Sequence, residues 1–158
     1  MSNTLFPGRP NYTGPTKGHF AFVHHSVLFE HSHDIRERIA HIKAHKPLNE
    51  RATRLEHLMY LDPAQIDFAA CEEAWAASEE AWAAYRESLT ARGKAWMAHD
   101  KAVYSEAWVT CGKGWTAHHK AGVTYKEAQT AAIPTVLAYV NKHFPGHKWN
   151  GRTLVFPS

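Results

Sequence analysis

The stretch "AWAASEEAWAAYRESLTARGKAWMA", residues 74–98, decides the fold. Around it, small residues recur at Ala70, Ala74, Ala77, Ala81, Ala84, Ser88, Ala91, Ala95, Ala98 and Ala102. Their steps alternate between four and three, the spacing that keeps one stripe of a helix turned toward a partner helix. Directly after every second small position stands a large apolar residue: Trp75, Trp82, Leu89, Trp96 and Val103. Alanine is the best helix former, and Glu, Lys and Arg fill many of the other places, so propensity and periodicity agree on a helix. A seam written in alanine lets two backbones come closer than the usual ~8–10 Å, while the tryptophans close over its sides. Burying one tryptophan removes on the order of 200 Å² from water, worth roughly 5 kcal/mol, so such a helix needs a partner.

The small-residue rhythm resumes at Ala107, Thr110, Gly114, Ala117, Ala121, Thr124, Ala128, Ala131, Thr135 and Ala138, with Trp108 and Trp115 again one place after seam positions. Between the halves, from Ala102 to Ala107, the step is five residues, and five in place of seven turn the stripe by about 160° at ~100° per residue. The spacing predicts a helical hairpin with its reversal between Val103 and Gly114, a span that holds Gly112 and Gly114. The alternative is one straight rod whose two faces meet other copies of the chain. Glu72, Glu73, Glu79 and Glu80 make the first arm acidic, and Lys113, Lys120 and Lys126 make the second basic, which favours antiparallel arms. The residues expected to carry interaction are Ala74, Trp75, Ala81, Trp82, Ala95, Trp96, Trp108 and Trp115.

Outside this region the chain is more varied. Residues 1–18 contain three prolines and three glycines and are expected to form an extended arm, ordered against a partner. "HFAFVHHSVLFE" is rich in aromatic and β-branched residues, so 20–29 reads as one strand with two largely apolar faces. Asp34 is placed to cap a helix carrying Ile35, Ile39 and Ile42, which Pro47 ends. A second helix is expected from about Asn49, with Leu55, Leu58 and Met59 inward, and the long helix from Asp62 or Pro63. A closing strand at 152–156 is expected to pair with 20–29. The whole is an α+β chain, mostly α: an arm at 1–18, a small α/β platform from 19–62 and 143–158, and the helical hairpin or coiled coil at 63–142, integrated as a single domain.

The chain has 158 residues, enough for one domain with a real core, and a formal charge of +3, which permits nucleic-acid binding without suggesting it. No run approaches the ~20 apolar residues that span a bilayer and no secretory apolar stretch opens the sequence, so no membrane partner and a cytoplasmic setting are expected. Two cysteines some forty residues apart, without metal-type spacing, fit a reducing compartment.

The segment "VHHSVLFEHSHDIRERIAHIKAHKPLNERATRLEHL", the alanine and aromatic repeats, and the ending "WNGRTLVFP" together resemble a group of prokaryotic and phage-type hypothetical proteins. Its parts run in the same order over roughly His19 to Pro157: a His-His strand, an "ERI..IK..KP" helical pair, a variable number of repeats and a "WNGKTIF"-like strand. The resemblance implies an architecture and no activity. Members often carry Cys-x-x-Cys before the terminal Trp, where this chain has Phe144 and His147.

Histidine is the one chemically suggestive excess. The chain has 13, including His24, His25, His31 and His33 around the strand, His118 and His119 on the rod, and His143 and His147 near the end. His24, His25, His31, His33 and His147 are the candidate metal ligands, for zinc, beside Glu30 or Asp34. No H-E-x-x-H motif supports them, and adjacent residues of a regular strand point to opposite faces, which keeps His24 and His25 from sharing an ion. Phosphate loops, nucleophile elbows and Cys-His pairs are likewise unrecognisable in the sequence. Arg36, Arg38, Lys43 and Lys46 surround the Ile stripe and read first as a solvated face, second as a phosphate-contacting one. The leading expectation is therefore a structural or protein-interaction module that pairs with itself or another protein and needs no cofactor. A His-dependent, hydrolase-like metal enzyme and a nucleic-acid-associated protein are the alternatives.

Overall fold

A computed structural model describes residues 4–22, 27–145, 148–150 and 154–155. The fold is α+β and mostly α. In chain order the elements are β1 (Gly18–Ala21), β2 (Phe29–Ser32), α1 (Ile35–His45), α2 (Leu48–Glu56), β3 (Met59–Tyr60), α3 (Ala69–Met97), α4 (Lys101–His143), β4 (Lys148–Trp149) and β5 (Leu154–Val155). They fall into two compact units, one of residues 1–67 with 133–158 and one of residues 68–132.

The first unit is organised on a three-stranded antiparallel sheet in the order β2-β1-β3. His19 faces His31 and Phe20 faces Glu30 across β1 and β2, while Ala21 faces Met59 across β1 and β3. The expected single strand at 20–29 is thus a hairpin: β1 and β2 run antiparallel, and Phe22 donates its N–H to the Leu28 carbonyl at 3.0 Å. A continuous apolar run concealed the reversal, because both faces of a well-covered strand pair are apolar. The closing strand also has a different neighbour. Leu154 pairs with Trp149 in a separate two-stranded sheet rather than with β1 or β2.

Large side chains fill this unit. Phe20, Phe22, Ile35 and Leu58 form a buried cluster with Ile39 and Tyr60 against it. Alternation along β1 turns Phe20 and Phe22 to the same face, and the apolar stripe of α1 supplies Ile35 and Ile39. Asp34 caps α1 as expected, accepting from the Arg36 N–H at 2.9 Å, and α1 stops before Pro47. Pro47 itself occupies the cap position of α2, with no side-chain cap hydrogen bond there from Asn49 or any other residue.

Two expectations at the borders are corrected. The long helix begins at Ala69, not at Asp62 or Pro63, because Asp62 closes a local turn by accepting from the Ala64 N–H at 2.9 Å and, through its carbonyl, from Ile66. The described part of the N-terminal arm is packed within its own unit. Leu5 accepts from the Tyr60 N–H at 2.7 Å, Phe6 meets Phe144 at 5.4 Å, and Arg9 lies over Phe6. Gly8 is needed there, since a side chain at that position would collide with the Leu55 backbone.

The second unit is a helical hairpin of α3 with residues 101–132 of α4. Its reversal lies at 98–100, upstream of the expected 103–114. His99 takes a left-handed φ of 54°, and Asp100 caps α4 by accepting from the N–H groups of Ala102 and Val103 at 3.0 and 3.1 Å. The turn therefore uses a helix-capping aspartate and a histidine that tolerates positive φ, with no Gly or Pro. Gly112 and Gly114 lie inside α4 instead.

Ring contacts set the register. Trp75 meets Tyr125 at 5.2 Å, Trp82 meets His118 at 4.9 Å, Tyr85 meets Trp115 at 5.5 Å and Trp96 meets Tyr104 at 5.4 Å, each pair equally distant in sequence from Asp100. The covered stripe on α3 is Cys71, Ala74, Ser78, Ala81, Tyr85, Ser88, Arg92 and Ala95; on α4 it is Tyr104, Ala107, Cys111, Gly114, His118, Ala121, Tyr125 and Ala128. Half of the expected seam belongs to it. The other half, Ala77, Ala84 and Ala91 with Thr110, Ala117, Thr124 and Ala131, is exposed. A side chain on Gly114 would stand 3.3 Å from both Ser88 Oγ and the Tyr85 Cα, which marks a close approach of the two backbones.

Candidate interaction surface

A helix with covered positions four and three residues apart has two flanks, and those of this hairpin differ. On one side lie Ala70, Ala77, Ala84 and Ala91 with Thr110, Ala117, Thr124 and Ala131, all exposed and small. On the other lie Trp75, Trp82, Leu89 and Trp96 of α3 with Trp108, Trp115, Gly122 and Gln129 of α4. In an antiparallel pair, equivalent flanks of the two helices meet, so every tryptophan of the hairpin gathers on a single edge.

That edge is filled on its inner side and open on its outer side. The Tyr85 and His118 rings stack between Trp82 and Trp115, with centroids 6.3 Å apart and planes 3° from parallel. Near the turn, Tyr104 lies between Trp96 and Trp108, at 5.4 and 6.2 Å. Guanidinium groups cover part of the remaining area, Arg86 over Trp82 at 5.8 Å and Arg92 over Trp108 at 4.8 Å, in the geometry of cation–π contacts. Trp96, Trp108, Trp115 and Trp82 nonetheless stay 65%, 56%, 52% and 36% exposed. Beside Trp96 and Tyr104 opens an apolar cleft of about 310 Å³, bounded also by Ala95, His99, Asp100 and Lys101.

The residues expected to carry interaction thus separate into two sets. Ala74 and Ala95 are buried inside the hairpin, and Ala81 and Trp75 are half covered there. Trp82, Trp96, Trp108 and Trp115 present surface outward. Sequence reading missed Tyr85, Tyr104 and His118, which hold the tryptophan rings in place. Their signal was present, since Tyr104, Cys111, His118 and Tyr125 recur every seven residues.

The histidine candidates give a different picture. His24, His25 and His147 lie outside the described residues. His31 and His33 sit 5.2 Å apart between ring centroids, and His31 is the same distance from His19, its partner across β1 and β2. Burial pushes His19 down to about 4, and the neighbouring His31 adds to the shift. An adjoining groove of about 290 Å³ brings Glu30, His31, Asp34, Glu37, Arg38 and His41 together. Among the described residues, no group of three His, Cys, Asp or Glu side chains could hold a metal ion. Asp34 is occupied in capping and in an ion pair with Arg36 at 2.7 Å, which holds its carboxyl below the usual carboxylate range.

The two arginines of α2 are engaged locally. Arg51 donates to the carbonyls of Lys46 and Ala44 at the end of α1, and Arg54 pairs with Glu50 at 2.7 Å. Among the described residues no helix is long and apolar enough to cross a membrane. Compared with known proteins, the chain matches no family model, and neither the curated proteins nor the solved structures give a significant match.

Proposed function

We propose that this chain is a structural interaction module and that its hairpin pairs with a second copy through the tryptophan edge. The observation that carries the reading is the exposure of Trp96, Trp108 and Trp115 beside a seam already closed within the chain. Large apolar groups that keep half or more of their surface in water after the hairpin has closed are what an interface requires, since aromatic anchors dominate association energies. At ~250 Å² for a whole tryptophan side chain, the four exposed rings present on the order of 500 Å² per chain. Two such faces together supply about 1,000 Å², the lower bound for a specific interface, before any flanking residue is included. Glu72 and Glu79 on α3 and Lys126 on α4 border the edge with opposite signs, so a second copy can answer its charges.

Native mass spectrometry and sedimentation velocity of the full chain over a concentration series test this. A dimer is expected at micromolar concentration, and the triple substitution Trp96→Ala, Trp108→Ala, Trp115→Ala is expected to raise its Kd by at least ~100-fold, with circular dichroism of the same variant separating lost association from lost helix. A chain that stays monomeric at about 100 µM overturns the proposal.

A further inference from the structure

We infer that the second copy lies face to face on the tryptophan edge with both turns at the same end, so that α3 of each chain runs along α4 of the other. This rests on the reading of the edge as a self-association surface and adds its geometry.

The two halves of the edge have unequal relief. On α3 the positions are bulky, Trp75, Trp82, Leu89 and Trp96, whereas on α4 the run of Trp108 and Trp115 ends in Gly122. A Cβ at Gly122 would meet nothing within 4 Å, so the edge has a notch one side chain deep. With the turns aligned, positions equally distant from Asp100 come opposite one another between chains, as they already do within one chain. Trp82 then lies over the partner's segment between Trp115 and Gly122, and Trp75 over the segment between Gly122 and Gln129. Ridge meets notch on both sides of the twofold axis, as an isologous contact requires.

Charge points the same way. Glu72 and Glu79 stand one helical turn from Trp75 and Trp82 on the outer rim of α3. On the rim of α4, Lys126 stands one turn from Gly122, and the His119 ring lies 6.5 Å from Trp115. Aligned turns set Glu72 and Glu79 of each copy against the partner's Lys126, while Arg86 of the same rim lies over Trp82, toward the turn. In the opposite arrangement each α3 lies on its own counterpart, tryptophan against tryptophan, and the Gly122 notch faces α4 instead of the bulky α3 edge.

Distance measurement separates the cases. A nitroxide is attached to His99→Cys at the exposed turn of the full chain, in a Cys71→Ala, Cys111→Ala background. Electron–electron resonance is expected to give about 15–30 Å between labels in the dimer, whereas opposed turns would lie some 40 Å or more apart, the length of α3 at ~1.5 Å per residue. As a second arm, Gly122→Leu is expected to raise the dimer Kd at least ~10-fold with helix content unchanged, because the notch is filled from within. A dimer with the long distance, or one indifferent to Gly122→Leu, overturns this arrangement and leaves self-association standing. A strictly monomeric chain, whose edge would then serve some other partner, overturns both.

Discussion

The sheet unit and the hairpin solve the problem of burial in opposite ways. Around β1 the buried groups are large: Phe20, Phe22, Ile35 and Leu58 lie together, each no more than 5% exposed. In α3 the buried positions are Cys71, Ala74, Ser88 and Ala95, and the large apolar groups stand at the flank or outside. Stability in the first case comes from apolar volume removed from water. In the second it comes from backbone proximity and from rings laid along an edge. A unit that spends its aromatic residues on the outside keeps surface available for another molecule.

Substitutions can break or sharpen this contrast. The largest effect belongs to the sheet unit: Phe20→Ala should destabilise it by about 3–5 kcal/mol through lost transfer energy and the cavity left behind, measured by urea denaturation. A smaller cost, and one of opposite origin, is expected in the hairpin. Gly114→Val crowds Ser88 Oγ and the Tyr85 backbone at 3.3 Å and should cost about 1–3 kcal/mol through overpacking. If Gly114→Val is neutral while Phe20→Ala is severe, the close-approach account of the hairpin is wrong.

The smallest effect at neutral pH concerns His19. Its folded-state pKa of about 4 lies below the ordinary 6.5, so the folded protein resists a proton that the unfolded chain accepts. The stability involved is fully present above pH 6.5 and is lost as pH falls from there toward about 4. His19→Gln should flatten the acid side of the stability profile in that window, read from thermal unfolding at several pH values, with little change at pH 8. An unaltered acid slope would show that His19 is not the group responsible.

Much of this architecture is legible in the sequence, to different depths. The hairpin, the Asp34 cap and the Pro47 stop follow from local rules and are found in the structure. The seam was readable only by half. The small residues of the expected seam recur at two of every seven positions on α3, and composition cannot say which of the two is covered, because the deciding residues were Tyr85, Arg92, Tyr104 and His118. Once those are taken as seam members, the five-residue step at Ala102 loses its meaning and the Asp100 cap becomes the natural turn. The β1–β2 reversal was hidden in a run apolar on both faces. For the tryptophans, periodicity placed them beside the seam, but which side of them remains uncovered depends on how far Tyr85 and His118 reach across, a matter of packing.

The turn at His99 and Asp100 also acts as the zero mark of a ruler. Since Trp75 and Tyr125, Trp82 and His118, Tyr85 and Trp115, and Trp96 and Tyr104 are each counted equally outward from that point, the arms keep their full pairing only when they change length in step. Removing seven residues from one arm alone would keep its stripe in phase but leave seven residues at the far end of the other arm without a partner, whereas removing seven from each would shorten the hairpin by about 10 Å and keep the arms equal. Length variation in chains built this way should therefore come in fourteens, shared equally between the arms, with the cap left untouched.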